Sequence, residues 1–280
     1  MVYAVQKLLF MLRYLGLQIP STSTIRTLRV NMSTFPQPTE VRQEEISSAY
    51  DKISEQVSNL SAEHSSKPVR LVAVSKLKPS SDIMALYNHG VRHFGENYVQ
   101  ELIGKSQELP KDIKWHFIGG LQTGKCKDLS KGVENLYAVE AIDSLKKCKK
   151  LESCRKNAGG NSINIYLQIN TSGEDQKSGY SLEILDELYE TVEFLLDPKQ
   201  CTLLNIQGLM TIGSFSESIS EEENADFKRL LTLKQKLDDK YKLDLELSMG
   251  MSNDFKEAIK QGSSSVRVGS SIFGARPTKS

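Results

Sequence analysis

The 280-residue chain predicts a single α/β domain of the (β/α)8, TIM-type barrel class. Three observations predict it. Short apolar runs alternate with helical segments, which argues for a parallel sheet; the runs number eight, which argues for closure into a barrel; and the length suits one undivided domain of that kind. An open, doubly wound sheet is the alternative that the same alternation allows.

The elements follow in order. Ile46, Ala49, Ile53, Val57 and Leu60 recur at helical spacing and mark one face of a leading amphipathic helix. VRLVAVS at 69–75 reads as a buried strand, with a helix over 81–89. A short strand near 93–95 leads to a helix over 97–107. Strands at 113–118, 136–139, 163–170, 204–210 and 245–249 are each followed by a helix, over 121–129, 144–156, 182–195, 222–240 and 254–261. The last strand is 266–269. Segments 172–179 and 213–221, rich in Ser, Gly and acids, are expected to be mobile loops. No internal repeat or linker divides the chain.

Composition narrows the class. Charged residues make up 25% and hydrophobic ones 39%, ordinary values for a soluble globular protein. Residues 1–39 carry Lys7, Arg13, Arg26 and Arg29 and no acid, which leaves 32 basic against 35 acidic groups in 40–280. A body without basic surplus excludes nucleic acid as an expected partner. The apolar stretch at 8–17 is interrupted by Arg13 and is too short to span a bilayer, so no membrane association is expected. The acid-free, Ser/Thr-rich start, with Leu8, Leu12, Leu15 and Ile19 at helical spacing, has the profile of a mitochondrial transit peptide. The alternative is a disordered extension, with Met32 the start of a cytoplasmic form. Cys126, Cys148, Cys154 and Cys201 show no CxxC spacing and read as reduced thiols of an intracellular protein. His89 and His93 have an i,i+4 spacing, but Gly90 between them and a strand start at His93 argue against a shared helix face, and no metal site is expected. Few large apolar residues fall on predicted outer faces, and a monomer is expected.

In a barrel of this class, chemistry sits at the carboxyl ends of the strands. The first strand ends in AVSK, which places Lys76 at the rim beyond an apolar run. A desolvated lysine there suits attack on an aldehyde, against the plain reading of a solvated residue opening a loop. The seventh strand runs into SMGMS (248–252) and the eighth into VRVGSS (266–271), small and hydroxyl-bearing residues that let backbone N–H groups approach an anion. Arg267 lies within the last strand, near enough to address the ring of a bound cofactor; a core ion pair is its other reading. A lysine at one rim position with a phosphate cradle opposite makes a site for pyridoxal 5′-phosphate (PLP).

Six motifs then carry a resemblance: AVSK76 with Pro79, FGENYVQE around Asn97, WHFIGGLQ around His116, LMT around Met210, LSMGMSNDF from Ser248 to Ser252, and VRVGSSIFGAR around Arg267. Together and in this order they resemble the pyridoxal phosphate homeostasis protein family, from about Ile46 to Arg276. The resemblance implies a barrel similar to the barrel domain of alanine racemases, and PLP held as an internal aldimine on Lys76. It implies further that Arg267 faces the pyridine nitrogen, that Ser248, Ser252, Gly269 and Ser270 hold the phosphate, and that Asn97, His116 and Met210 line the pocket near the ring. One position departs from the family pattern: Gly124 precedes Lys125 where the family usually shows Asn.

The resemblance implies a protein of PLP (vitamin B6) homeostasis that buffers the cofactor and passes it to PLP-dependent apoenzymes. An arginine at the pyridine nitrogen makes the ring a weak electron sink. A racemase also needs an acid/base on each face of the substrate carbon, and the sequence ends at Ser280, so no second domain supplying one is expected. A weak or specialised racemase-like PLP enzyme is the alternative. GGLQTGKC at 119–126 nearly matches a phosphate-binding loop, but Cys126 stands where a Mg2+-binding hydroxyl is needed, and the segment is expected instead to frame the pocket mouth.

Overall fold

The computed structural model describes residues 35–219 and 223–275. The expected targeting segment therefore lies outside the described residues, apart from its last few positions.

Helix α1 (Glu40–His64) leads, capped by the Thr39 hydroxyl, which accepts the Arg42 N–H at 3.2 Å. Its buried side chains Ile46, Ile53 and Val57 are those of the apolar face read from the sequence. Then come β1 (Arg70–Val74), α2 (Ser80–Asn88), β2 (His93–Glu96), α3 (Val99–Glu108), β3 (Lys114–Phe117), α4 (Cys126–Gly132), β4 (Leu136–Ile142), α5 (Leu145–Ala158) and β5 (Ile163–Asn170). A two-residue β6 (Tyr180–Ser181) is followed by α6 (Asp186–Leu196), β7 (Leu204–Met210), α7 (Phe215–Ser218), α8 (Ala225–Tyr241), β8 (Glu246–Ser248), α9 (Phe255–Lys260), β9 (Ser265–Val268) and α10 (Ser270–Phe273).

Every strand pairing is parallel. The order β4-β3-β2-β1-β9-β8-β7-β5, closed by β4 against β5, is a complete eight-stranded barrel with helices between the strands. The open-sheet alternative is thereby ruled out. Strand β6 only adds to the edge of β5 beyond the ring.

Alternation along the strands sorts the core into two. Leu71, Ala73, Phe94, Trp115, Phe117, Leu247, Val266 and Val268 face outward into the large cluster shared with the helices. Inside the ring sit Ala138, Ala141, Tyr166 and Met210, a much smaller apolar cluster. The rest of the interior is polar: His116, Glu140, Ser248 and Arg267 are at most 5% exposed.

Two boundaries differ from the sequence reading. Helix α8 starts at Ala225, not at 222, because the Asn224 side chain accepts the Asp226 and Phe227 N–H groups and so caps it. Within segment 213–221, expected as a loop, Phe215–Ser218 forms one helical turn capped by Ser214. Segment 172–179 is stitched to its surroundings: the Asn170 amide donates to Glu174 O at 2.9 Å and Lys177 Nζ to Gly213 O at 2.7 Å. No described helix is long and apolar enough to cross a membrane.

Candidate functional site

The carboxyl ends of the strands surround a cavity of about 460 Å3. It lies within the size range of small-molecule pockets. Lys76 lines it because β1 puts Val72 and Val74 toward the interior and Ser75 outward, so the next side chain turns inward again. Asn97 and Met210 stand on the wall, Arg267 forms part of the floor, and Ser252, Gly269 and Ser270 contribute the edge beside β9. Seven of the sequence-derived site residues thus share one cavity.

The placement corrects one geometric expectation. The hydroxyl cradle stands beside Lys76, not across from it, because closure pairs the last strand with the first: Val72 registers with Arg267 and Ala73 with Val268. At Gly269 the backbones are so close that a Cβ would lie 3.0 Å from Val74 O. The Ser252 hydroxyl accepts from the Ser270 hydroxyl at 3.2 Å and from the Gly269 N–H at 3.4 Å, so the cradle is already assembled.

His116 and Ser248 are not on the cavity wall. Both are fully buried in the barrel interior below it, in a chain of hydrogen bonds. Arg267 donates to Ser248 Oγ at 2.6 Å and to Thr211 O at 2.7 Å; Ser248 Oγ donates to Glu140 Oε2 at 2.5 Å; Glu140 Oε1 and His116 Nδ1 are 2.6 Å apart; His116 Nε2 and His93 Nδ1 are 2.9 Å apart. Burial alone pushes the Glu140 carboxyl up, but the hydrogen bond and charge of His116, with the charge of Arg267, hold it below the ordinary carboxylate range. Burial pushes the Arg267 guanidinium down, against the charges of Glu140 and Asp254. His93 is pushed down to about 3, by burial first and then by His116, Arg70 and Lys114.

Two observations fit a ligand with an aldehyde, an aromatic ring nitrogen and an anionic tail. Asn97 Oδ1, on the wall, is buried without a hydrogen-bond partner, an acceptor for a donor such as the ring hydroxyl of a pyridoxal. The polar groups are also graded, from the exposed hydroxyl of Ser270 at the edge to the buried guanidinium at the floor, as a phosphate at one end and a ring nitrogen at the other require.

The sequence reading missed Glu140, which ties Ser248 to His116. Its signal was present: LYAVEAI (136–142) is a buried strand with one charge in it, and such a charge requires a partner. It also missed Ile212, Ser214, Phe215 and Asp254 on the cavity wall, since loop conformation decides which of these turn inward. Of the GGLQTGKC segment, Gly119 and Gly120 line a neighbouring cavity, which shares Asn97 and Ile212 with the one that Lys76 lines. Gly119 serves close packing, as a Cβ there would lie 2.1 Å from Asn97 O. His89 caps α2 and pairs with Asp51 at 2.6 Å, apart from His93. Among the described residues no group of three His, Cys, Asp or Glu is placed to hold a metal.

Residues 49–277 match the family model for the N-terminal domain of alanine racemase. A pyridoxal phosphate homeostasis protein from Schizosaccharomyces pombe is 49% identical over 211 residues, 75% of this chain and 86% of the relative. The human protein of that name is 43% identical over 216 residues, 74% of this chain and 76% of the relative. Among solved structures, PipY of Synechococcus elongatus with PLP bound superposes with a TM-score of 0.66 at 30% identity, over 82% of this chain and all of that one. Alanine racemase from Bartonella henselae superposes with a TM-score of 0.60 at 15% identity, over 84% of this chain and 61% of that one, a likeness of fold.

Proposed function

This chain belongs to the pyridoxal phosphate homeostasis protein family, and from that premise we propose that it binds PLP, holds it as a Schiff base on Lys76, and buffers or delivers it to PLP-dependent apoenzymes. The observation that carries the proposal is the single cavity that Lys76 shares with Arg267 and with the Ser252, Gly269 and Ser270 cradle. PLP supplies an aldehyde. Lys76 would hold the group through its amine, and a second amine could displace Lys76 and take the group over, which suits a carrier. Ser252, Gly269 and Ser270 take the phosphate, Arg267 addresses the ring nitrogen, and Asn97 and Met210 flank the ring. His116 and Ser248 act from behind, through Arg267.

Arg267 also supports carriage over catalysis. Its hydrogen bonds run to a hydroxyl and a carbonyl, so its charge is not cancelled by a directly paired carboxylate and it keeps the ring nitrogen unprotonated. Delivery requires an accessible mouth, and the large apolar residues exposed among the described ones include Ile212 and Phe215 on the cavity itself. Leu77 and Tyr98, exposed as well, directly follow Lys76 and Asn97. A PLP-dependent apoenzyme docking over this rim would cover them. A cytoplasmic location is proposed, and also a mitochondrial one should the acid-free, Ser/Thr-rich residues before Met32 direct import.

The test is spectroscopic. PLP added to the purified protein is expected to give a visible absorption band that Lys76→Ala abolishes, with no net conversion of added amino acids. A band of unchanged strength in Lys76→Ala, or robust racemisation of alanine, would overturn the reading.

A further inference from the structure

A second lysine lies behind the first. Lys105, on α3, is 7% exposed, and its Nζ donates to Ser75 O at 2.8 Å, to Glu96 Oε1 at 2.7 Å and to Glu101 Oε1 at 2.6 Å. The same Glu101 oxygen accepts the Leu77 N–H at 2.7 Å. One ion pair on the outer side of the barrel therefore grips the carbonyl just before Lys76 and the amide just after it. The grip is reinforced from β2, where Glu96 accepts the Ser75 hydroxyl at 2.6 Å and Gly95 O accepts the Ser75 N–H at 3.0 Å.

What is being held is unfavourable by itself. Leu77 has φ +61°, one of two non-glycine residues with positive φ among those described, and the residue is 41% exposed. A branched side chain gains nothing in the left-handed region, where Cβ crowds the following carbonyl. Left alone, Leu77 would relax to negative φ and rotate the peptide that joins it to Lys76. The ion cluster is no simple source of stability either. It sets one buried and one partly buried carboxylate against one ammonium, burial pushes the Glu96 carboxyl up, and Glu96 Oε2 has no hydrogen-bond partner. Strain held by a costly cluster at the edge of a binding cavity is the pattern of preorganisation.

We infer that Glu101, held by Lys105, is a positioning residue for Lys76: its carboxylate fixes the left-handed turn at Leu77 and thereby aims the lysine into the cavity. This rests on the proposal that Lys76 carries PLP. Losing the clamp lets Leu77 escape a conformation that costs about 1–2 kcal/mol, equivalent to about a tenfold change in an equilibrium constant.

The experiment uses the full chain with PLP, and reads affinity together with the rate at which borohydride-stable adduct accumulates on Lys76. Glu101→Ala is expected to weaken binding and slow adduct formation about tenfold. Adding Leu77→Gly is expected to restore both to within about threefold of wild type, because glycine adopts positive φ without the steric cost. If Glu101→Ala does not fold, Glu101→Leu carries the test: it fills the same space with no accepting oxygen, and its loss of affinity should likewise be recovered by Leu77→Gly. Wild-type behaviour in the Glu101 variant, or a loss that Leu77→Gly does not rescue, would overturn the inference. A wild-type protein that forms no adduct on Lys76 would instead overturn the reading on which it rests, so the two failures are told apart.

Discussion

A buried guanidinium needs acceptors, and a buried carboxylate needs donors. Arg267 and Glu140 meet those needs through one shared hydroxyl, that of Ser248, and Glu140 completes its set with His116. The interior of this barrel is therefore a connected polar chain, in which removing one member strands the next. His116→Leu is expected to leave Glu140 Oε1 buried without its hydrogen-bond partner and to lower stability by about 2–3 kcal/mol, measured by urea unfolding; a loss below about 1 kcal/mol would show that the chain is not coupled. The thiols behave in the opposite sense. Burial pushes Cys126 and Cys201 up to about 11, so almost no thiolate exists at neutral pH. A thiol reagent is expected to label Cys126 and Cys201 no faster than the protein unfolds, and rapid labelling of the native chain would contradict their burial. At this scale the sequence pointed to Lys76, Arg267, Ser252 and Ser270, which share the cavity, because small residues and isolated charges at strand ends stand out. It hid Lys105 and Glu101, whose i,i+4 spacing looks like a solvated helix pair until the fold lays it against β1 and β2.

The elements position the site by pairing the ends of the chain. Register between β1 and β9 sets Val72 against Arg267 and so brings Lys76 beside Gly269. Register between β2 and β3 sets Glu96 against Phe117, after which Gly119 passes directly over Asn97. Gly119→Ala is expected to force those backbones apart, costing about 1–3 kcal/mol of stability and weakening PLP binding several-fold, followed by thermal melting and PLP titration. An alanine variant with wild-type melting and affinity would contradict the close approach. All eight barrel strands were legible, most as apolar runs with a turn on both sides, and β2 (HFGE) from its place in the alternation. The short pieces were not. Tyr180–Ser181 and Phe215–Ser218 owe their form to a neighbouring strand and a capping serine, not to any periodicity of their own.

For the whole molecule, charge state and cofactor occupancy are the levers. His93 stays neutral in the fold, with its value pushed down to about 3 from an ordinary 6.5, while the unfolded chain takes up a proton below that ordinary value. The unfolded state therefore binds more protons between about 3 and 6.5, and stability is complete above that window and falls as pH drops through it. His93→Gln removes this titration, so its urea midpoint should fall less than that of wild type between about pH 7 and pH 5; equal falls would contradict the assignment. Closure of the barrel was foreseeable from the count of eight alternations, whereas the polar interior showed only as single charges such as Glu140 and Arg267 inside apolar strands, because the partners of each lie on other strands. The account depends most on where the aldehyde is held. Borohydride reduction of the PLP-loaded protein, followed by peptide mass mapping, is expected to find the cofactor's mass on the peptide that contains Lys76 and at that residue alone. A stable adduct on another lysine, with Lys76 unmodified, would contradict it.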